Sequence, residues 1–393
     1  MISAKYLVVG GGMTADAAVH GIRELDPGGA IVLVSAEADP PYDRPPLSKA
    51  LWKGAPLDGI WRKRDTGATR LCLGRRIESL DLRKRTAADD QGESYSFEKL
   101  LLATGGSVRR LSFPDEGVVY LRTLADYRAL RAMTEARRHF VVIGGGFIGS
   151  EIAAALAANG RQVTMIFPEA TIGSRVYPTE LAGFLVDYFR EKRVEVRAGE
   201  SLTSLQKERG RWVLATAGGR QVEADGVVAG VGITPNTALA EAAGLTVANG
   251  IEVDELLRAS APDVYAAGDV ARFFSPALGA RVRVEHEDNA NSMGRTAGRN
   301  MAGAHEAYDH LPFFYSDLFD LGYEAVGELD ARLDTVADWK TPFREGVVYY
   351  LRDRRVRGVL LWNVWGQLDT ARALIAEPGP FEPRDLVGRI ASV

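Results

Sequence analysis

An α/β chain is what this sequence predicts: two doubly wound, parallel-sheet domains in succession, then a C-terminal α+β domain with an antiparallel sheet. Three observations predict it. First, a glycine turn, Gly10-x-Gly12-x-x-Ala15, follows a short apolar run. Second, the stretch 141–151 (VVIGGGFIGSE) repeats it 134 residues later as Gly144-x-Gly146-x-x-Gly149. Third, the pattern changes beyond Pro312 to short alternating runs at 313–318, 324–329, 347–352 and 356–364, with no glycine loop. A strand ending in such a turn lets bare backbone approach a pyrophosphate at the start of the next helix. One copy is a weak signal; two, a domain length apart, point to two Rossmann-like folds that hold two dinucleotides.

Bulk properties narrow the function classes. With 393 residues, 46% hydrophobic and 25% charged, the chain has the make-up of a globular protein of two or three domains. A net charge of −4 and a pI near 5.9 argue against a nucleic-acid partner. No apolar run approaches the length of a membrane span. The first strand begins almost at Met1, which leaves no room for a targeting peptide, so a cytoplasmic location is expected. A single cysteine, Cys72, excludes an internal disulfide; lying between Leu71 and Leu73, it reads as a buried, inert thiol.

In chain order, strand 5–9, helix 14–24 and strand 31–34 make one βαβ unit. Glu37 follows Ala15 by 22 residues, where a carboxylate can accept the hydroxyls of a ribose; Asp39 competes for that place. Residues 40–52 (PPYDRPPLSKALW) form a proline-stiffened loop that is expected to release into a helix capped by Ser48, and they carry Arg44 and Lys49. Strand 100–104 runs into Gly105 and Gly106, with Arg109 just beyond. An arginine-rich stretch at 126–138 reads as a solvated helix face. The second βαβ unit has strands 140–143 and 162–167, and its acid stands at Glu169 rather than at the strand end. A carboxylate there favours NADH over NADPH by repelling a 2′-phosphate; Arg175 nearby is suited to phosphate instead. A helix at 181–193 and a meander of strands at 195–197, 201–207, 211–215 and 221–223 follow. Strand 226–232 ends at Gly232, strand 264–265 ends at Gly268 and Asp269, and helix 285–304 carries close-packing small residues. Strands 313–318, 324–329, 347–352 and 356–364 and a helix at 368–376 close the chain.

With these pieces laid out, the whole chain resembles the FAD-dependent pyridine-nucleotide oxidoreductases, in the branch of ferredoxin and rubredoxin reductases and the apoptosis-inducing factor family. The resemblance is carried by PYDRPPLSK at 41–49, ATGG at 103–106, GGGFIGSE at 144–151, VGITPN at 231–236 and AGDV at 267–270. Four further pieces are similar to apoptosis-inducing factor: FPE at 167–169, VEH at 284–286, YSDL at 315–318 with GYEA at 322–325, and LWN at 361–363.

The resemblance implies an FAD domain of residues 1–123 plus 251–312, an inserted NAD domain of 124–250 and a C-terminal domain of 313–393. It places Gly10, Gly12 and Ala15 on the FAD pyrophosphate, Glu37 on its ribose and Gly268 with Asp269 on the ribityl chain. Arg44, Lys49, Thr104, Gly105, Arg109 and His286 become flavin contacts. Gly144, Gly146, Gly149, Glu169, Arg175 and Gly232 would hold NAD(H). Lys49 and Glu151 would form an ion pair at the reacting edge of the flavin. Two departures stand out: Glu287 and Tyr315 occupy places where relatives usually carry tryptophan. The implied activity is hydride transfer from NADH to FAD, then electron delivery to a ferredoxin-like, rubredoxin-like or quinone-like acceptor. The alternative is a slow, redox-sensing interaction protein, with a homodimer as one form.

Overall fold

The computed structural model describes residues 1–62 and 69–390. Two units are assembled from interleaved stretches: Met1–Arg44, Asp58–Ser107 and Thr234–Pro312 in the first, Pro45–Leu57, Val108–Ile233 and Phe313–Val393 in the second. Relative to the segments expected above, residues 45–57 and 108–123 group with the second unit and 234–250 with the first.

In the first unit the apolar strand Ile2–Val9 is central, pairing in parallel with Ile31–Ser35 on one side and Ser94–Leu102 on the other. Thr69–Leu73 and Val264–Ala266 extend the parallel sheet outward, and Thr86–Asp89 with Ile77–Asp81 continue it as an antiparallel excursion. Val9 stands opposite both Val34 and Leu102, so three strand ends align where Gly10 and Ala103 begin the loops. Ligands of open α/β sheets bind outside such carboxyl ends. Helix Met13–Leu25 covers the sheet beside helix Glu287–Met301. Their backbones almost touch: a Cβ on Gly294 would lie 2.4 Å from the Thr14 carbonyl oxygen, and one on Gly298 2.1 Å from that of Ala18.

The second unit holds a four-stranded parallel sheet in the order Val194–Ala198, Gln162–Phe167, His139–Ile143, Gly226–Ala229. Residues 195–197 therefore belong to this sheet and not to the meander expected from sequence, which comprises Leu202–Glu208, Arg211–Thr216 and Gln221–Ala224. Beyond Pro312 an antiparallel five-stranded sheet runs Phe313–Leu318, Leu321–Gly327, Arg355–Trp362, Glu345–Arg352, Asp334–Thr341. Helix Leu368–Ala376 packs against it.

The loop after Arg44 departs from expectation. No α-helix starts at Ser48; Pro45–Leu47 and Ala50–Lys53 form short 3-10 turns instead. Pro45 and Pro46 supply no N–H, and Lys49 between the turns has φ −126° and ψ −96°, outside the helical region. Trp52 anchors the segment: its indole N–H donates to the Leu47 carbonyl at 2.8 Å, its ring meets Tyr127 edge-on at 5.7 Å, and its carbonyl accepts from Asn159 at 3.0 Å.

Candidate active site

The first unit builds an anion cradle at the end of its central strand. Gly10 takes φ +125° and lies so close to the Ala103 carbonyl oxygen that a Cβ would be 2.1 Å from it. Gly12 then caps helix Met13–Leu25 with no side-chain hydrogen bond to the first amides. A Cβ on Gly12 would meet nothing nearer than the Arg44 guanidinium at 3.6 Å. Open space, undercapped amides, the positive end of a helix and a guanidinium suit a diphosphate. Ala15 is fully buried in the same helix turn.

Around this cradle, Glu37 accepts a hydrogen bond from the Tyr42 hydroxyl at 2.6 Å and pairs with Arg44. Burial pulls the Arg44 guanidinium down, but Tyr42 and Glu37 outweigh it and leave it raised. Asp39 lines a cavity with Asp16, Pro40, Pro41 and Trp61. The Thr104 hydroxyl donates to the Asn236 carbonyl at 2.8 Å, and Gly105 accepts from the Asn236 amide at 2.9 Å, which fixes the strand end. Gly268 and Asp269 form a short turn whose Gly268 amide meets the Met293 sulfur at 3.2 Å. His286 precedes helix Glu287–Met301; burial pushes its pKa down to about 4, opposed by Asp269 and Asp288.

The second unit repeats the cradle. Gly144 has φ +110° beside the Gly230 carbonyl, and a Cβ on Gly149 would lie 2.1 Å from the Gly144 oxygen. Gly146 caps helix Phe147–Ala158 with no side-chain hydrogen bond, and a Cβ there would meet nothing within 4 Å. Glu169 follows strand Gln162–Phe167 and receives the Arg175 guanidinium at 3.3 Å. The Gly232 carbonyl accepts the Arg109 amide at 3.0 Å, and the Arg109 side chain donates to the Ile233 carbonyl at 3.1 Å.

Helix Phe147–Ala158 also carries Glu151, whose side chain is 3% exposed. Its Oε2 accepts the Lys49 ammonium at 2.8 Å and the Ser48 hydroxyl at 2.6 Å, while its Oε1 accepts the Ser316 hydroxyl at 2.6 Å. The Lys49 ammonium further lies 5.3 Å from the centroid of the Tyr315 ring. Ser48, expected only as a helix cap, thus serves the carboxylate. Ser316 has no signal in the sequence beyond its place in the YSDL piece, because a lone serine in a strand has no pattern of its own.

Two glycine-turn cradles, each at the carboxyl end of a parallel sheet, define a two-dinucleotide oxidoreductase. The chain belongs to the pyridine nucleotide-disulphide oxidoreductase family, whose model matches residues 4–294. A second model, the C-terminal domain of mitochondrion-associated apoptosis-inducing factor, matches residues 297–342 and 337–377. The chain is 34% identical to the ferredoxin–NAD(+) reductase component of an anthranilate 1,2-dioxygenase system from Burkholderia cepacia, over 98% of this chain and 97% of that one. It is 32% identical to mitochondrial apoptosis-inducing factor 1 of Dictyostelium discoideum, over 96% of this chain and 79% of that one. Among solved structures, putidaredoxin reductase in its covalent complex with putidaredoxin is similar with a TM-score of 0.91 and 29% identity, covering 98% and 96% of the two chains. This chain is a flavin-dependent NAD(P)H oxidoreductase, and its cofactors are FAD and NAD(H). Among the described residues no helix is long and apolar enough to cross a membrane.

Proposed function

We infer that this chain is an NADH-dependent reductase that passes electrons to a small redox protein of the ferredoxin or rubredoxin type, in the cytoplasm. The observation that carries this is the pairing of two open diphosphate cradles with a single buried cysteine. One thiol cannot form an internal disulfide to relay an electron pair, so the flavin would pass its electrons directly to an external acceptor. The ferredoxin reductases among the relatives support that choice.

The residue roles belong to the same proposal. Amides at the start of Met13–Leu25, with Gly10, Gly12 and Ala15, would receive the FAD diphosphate. Glu37 would accept ribose hydroxyls, and Gly268 and Asp269 would meet the ribityl chain. Arg44, Thr104, Gly105, Arg109, His286, Lys49 and Glu151 take the flavin-contact roles that the family resemblance implies. Bound FAD supplies the conversion of two-electron hydride donation into single-electron delivery. Glu151 holds the Lys49 ammonium in one orientation, with its charge largely desolvated. His286, uncharged above about pH 4, holds one ring proton and adds no positive charge. The second cradle, at Gly144, Gly146 and Gly149, would receive the NADH diphosphate. Gly232 would lie beside the nicotinamide, Arg175 would approach phosphate, and Glu169 would repel a 2′-phosphate.

The absorption spectrum of the purified protein and stopped-flow mixing under low oxygen test this. A yellow protein reduced rapidly by NADH and reoxidised over many turnovers by a ferredoxin or rubredoxin supports it. A protein that cannot take up FAD, or one that turns over only with a quinone, refutes it. The match to the apoptosis-inducing-factor C-terminal model favours one second reading, a redox-sensing interaction protein. A reduced protein that persists with every acceptor and dimerises on adding NADH would establish that reading instead.

A further inference from the structure

We propose that Ser316 is a positioning residue for Glu151: it sets the rotation of the carboxylate and thereby the direction in which the Lys49 ammonium is held. This rests on the proposed role of Lys49 and Glu151. The two oxygens of Glu151 are held by different parts of the chain. Ser48 and Lys49, neighbours in one loop, both act on Oε2, at 2.6 and 2.8 Å. Oε1 is held by Ser316 at 2.6 Å, from a strand 165 residues further on. The terminal torsion of a glutamate is broad, so a carboxylate gripped at one oxygen can swing while one gripped at both is locked. Ser316 is 1% exposed and Glu151 3%, which leaves little room for water to replace the missing donor.

Ser316 itself stands on a stiff support. Its strand, Phe313–Leu318, pairs it with Tyr323 in antiparallel register. Tyr323 is fully buried, stacks on Trp362 at 5.5 Å and 10°, and accepts the Tyr177 hydroxyl at 2.9 Å. The residue before Ser316, Tyr315, holds its ring 5.3 Å from the Lys49 ammonium. One strand therefore bears on both members of the ion pair. Such a strand sets geometry more tightly than a loop serine alone.

A double-mutant cycle of Ser316→Ala and Glu151→Leu, with Ser316→Thr as the conservative variant, tests the proposal. Two quantities are read: the rate constant for flavin reduction by NADH, and the urea midpoint of the flavin-free protein. Ser316→Ala is expected to slow reduction about tenfold, as small misplacements at a reacting centre do, with half-saturation by NADH unchanged. Ser316→Thr keeps the hydroxyl and restores the rate to within about twofold. In the Glu151→Leu background, Ser316→Ala no longer slows reduction and no longer lowers the midpoint. Equal effects in both backgrounds, or a threonine variant as slow as the alanine one, overturn the proposal. If the wild-type protein is not reduced by NADH, the functional reading falls, and the midpoint cycle in flavin-free protein still decides whether Ser316 acts through Glu151.

Discussion

Replacing Glu151 with alanine isolates what the carboxylate does for the folded state. Its side chain is 3% exposed and that of Lys49 11%, with the charged atoms 2.8 Å apart. Without the carboxylate, the Lys49 ammonium stays largely desolvated with no counter-charge, and the hydroxyls of Ser48 and Ser316 each lose an acceptor at 2.6 Å. Breaking a buried pair from one side costs about 3–5 kcal/mol. The two hydroxyls lie inside that range, because their loss overlaps with the collapse of the same site. A loss of about 4 kcal/mol is therefore expected in flavin-free protein, measured at pH 7 by urea unfolding followed through tryptophan fluorescence. An apolar pair of similar shape, Lys49→Met with Glu151→Leu, should recover most of it, since the desolvation penalty leaves together with the attraction. A loss below about 1 kcal/mol, the size of an exposed pair, would refute the reasoning. So would a double variant no more stable than the single one.

Three further outcomes are expected. Gly146→Ala, with no atom within 4 Å of the new Cβ, should leave the urea midpoint unchanged and weaken NADH binding, whereas Gly149→Ala, 2.1 Å from the Gly144 oxygen, should lower the midpoint; equal effects would contradict the cradle. His286 is held near pKa 4 against 6.5, so the unfolded chain binds more protons between those values, and stability present above pH 6.5 should fall as pH drops through about 4. At ~1.36 kcal/mol per unit this loss is about 3 kcal/mol, and His286→Asn should flatten the curve measured by urea unfolding of flavin-free protein; an unchanged slope counts against it. Glu169→Ala should raise the rate of reduction by NADPH about fivefold relative to NADH, the ~1 kcal/mol of two charges about 4 Å apart in water; a wild-type preference for NADPH would reverse the assignment.

What the sequence made legible follows from the strength of local patterns. The helix at 368–376 appears with the same bounds, because an apolar stripe ends there at prolines 378 and 380. The strand Asp334–Thr341 is invisible in the sequence: it is a sheet edge with largely exposed residues, so no apolar alternation marks it. Residues 195–197 alternate like an antiparallel strand because their sheet edge is half exposed, and only pairing with Gln162–Phe167 reveals the parallel register. The glycine turns were readable because their spacing is a backbone requirement. The two serines on Glu151 were not, since hydroxyl partners 103 and 165 residues away leave no spacing to find.

The close backbone packing of helices Met13–Leu25 and Glu287–Met301 has a consequence for synthesis. The opening sheet leaves the ribosome without its last strand, Val264–Ala266, and without the helix that covers Thr14 and Ala18. At roughly 5–20 residues per second, the edge along Leu100–Leu102 waits about 10–30 s for that partner. The strands His139–Ile143, Gln162–Phe167 and Gly226–Ala229 are complete before then. The middle of the chain can therefore finish before its beginning does. A nascent edge strand left open in this way is a template for mispairing, and a chaperone that shields residues 100–102 during that interval would cover the edge that waits for Val264–Ala266.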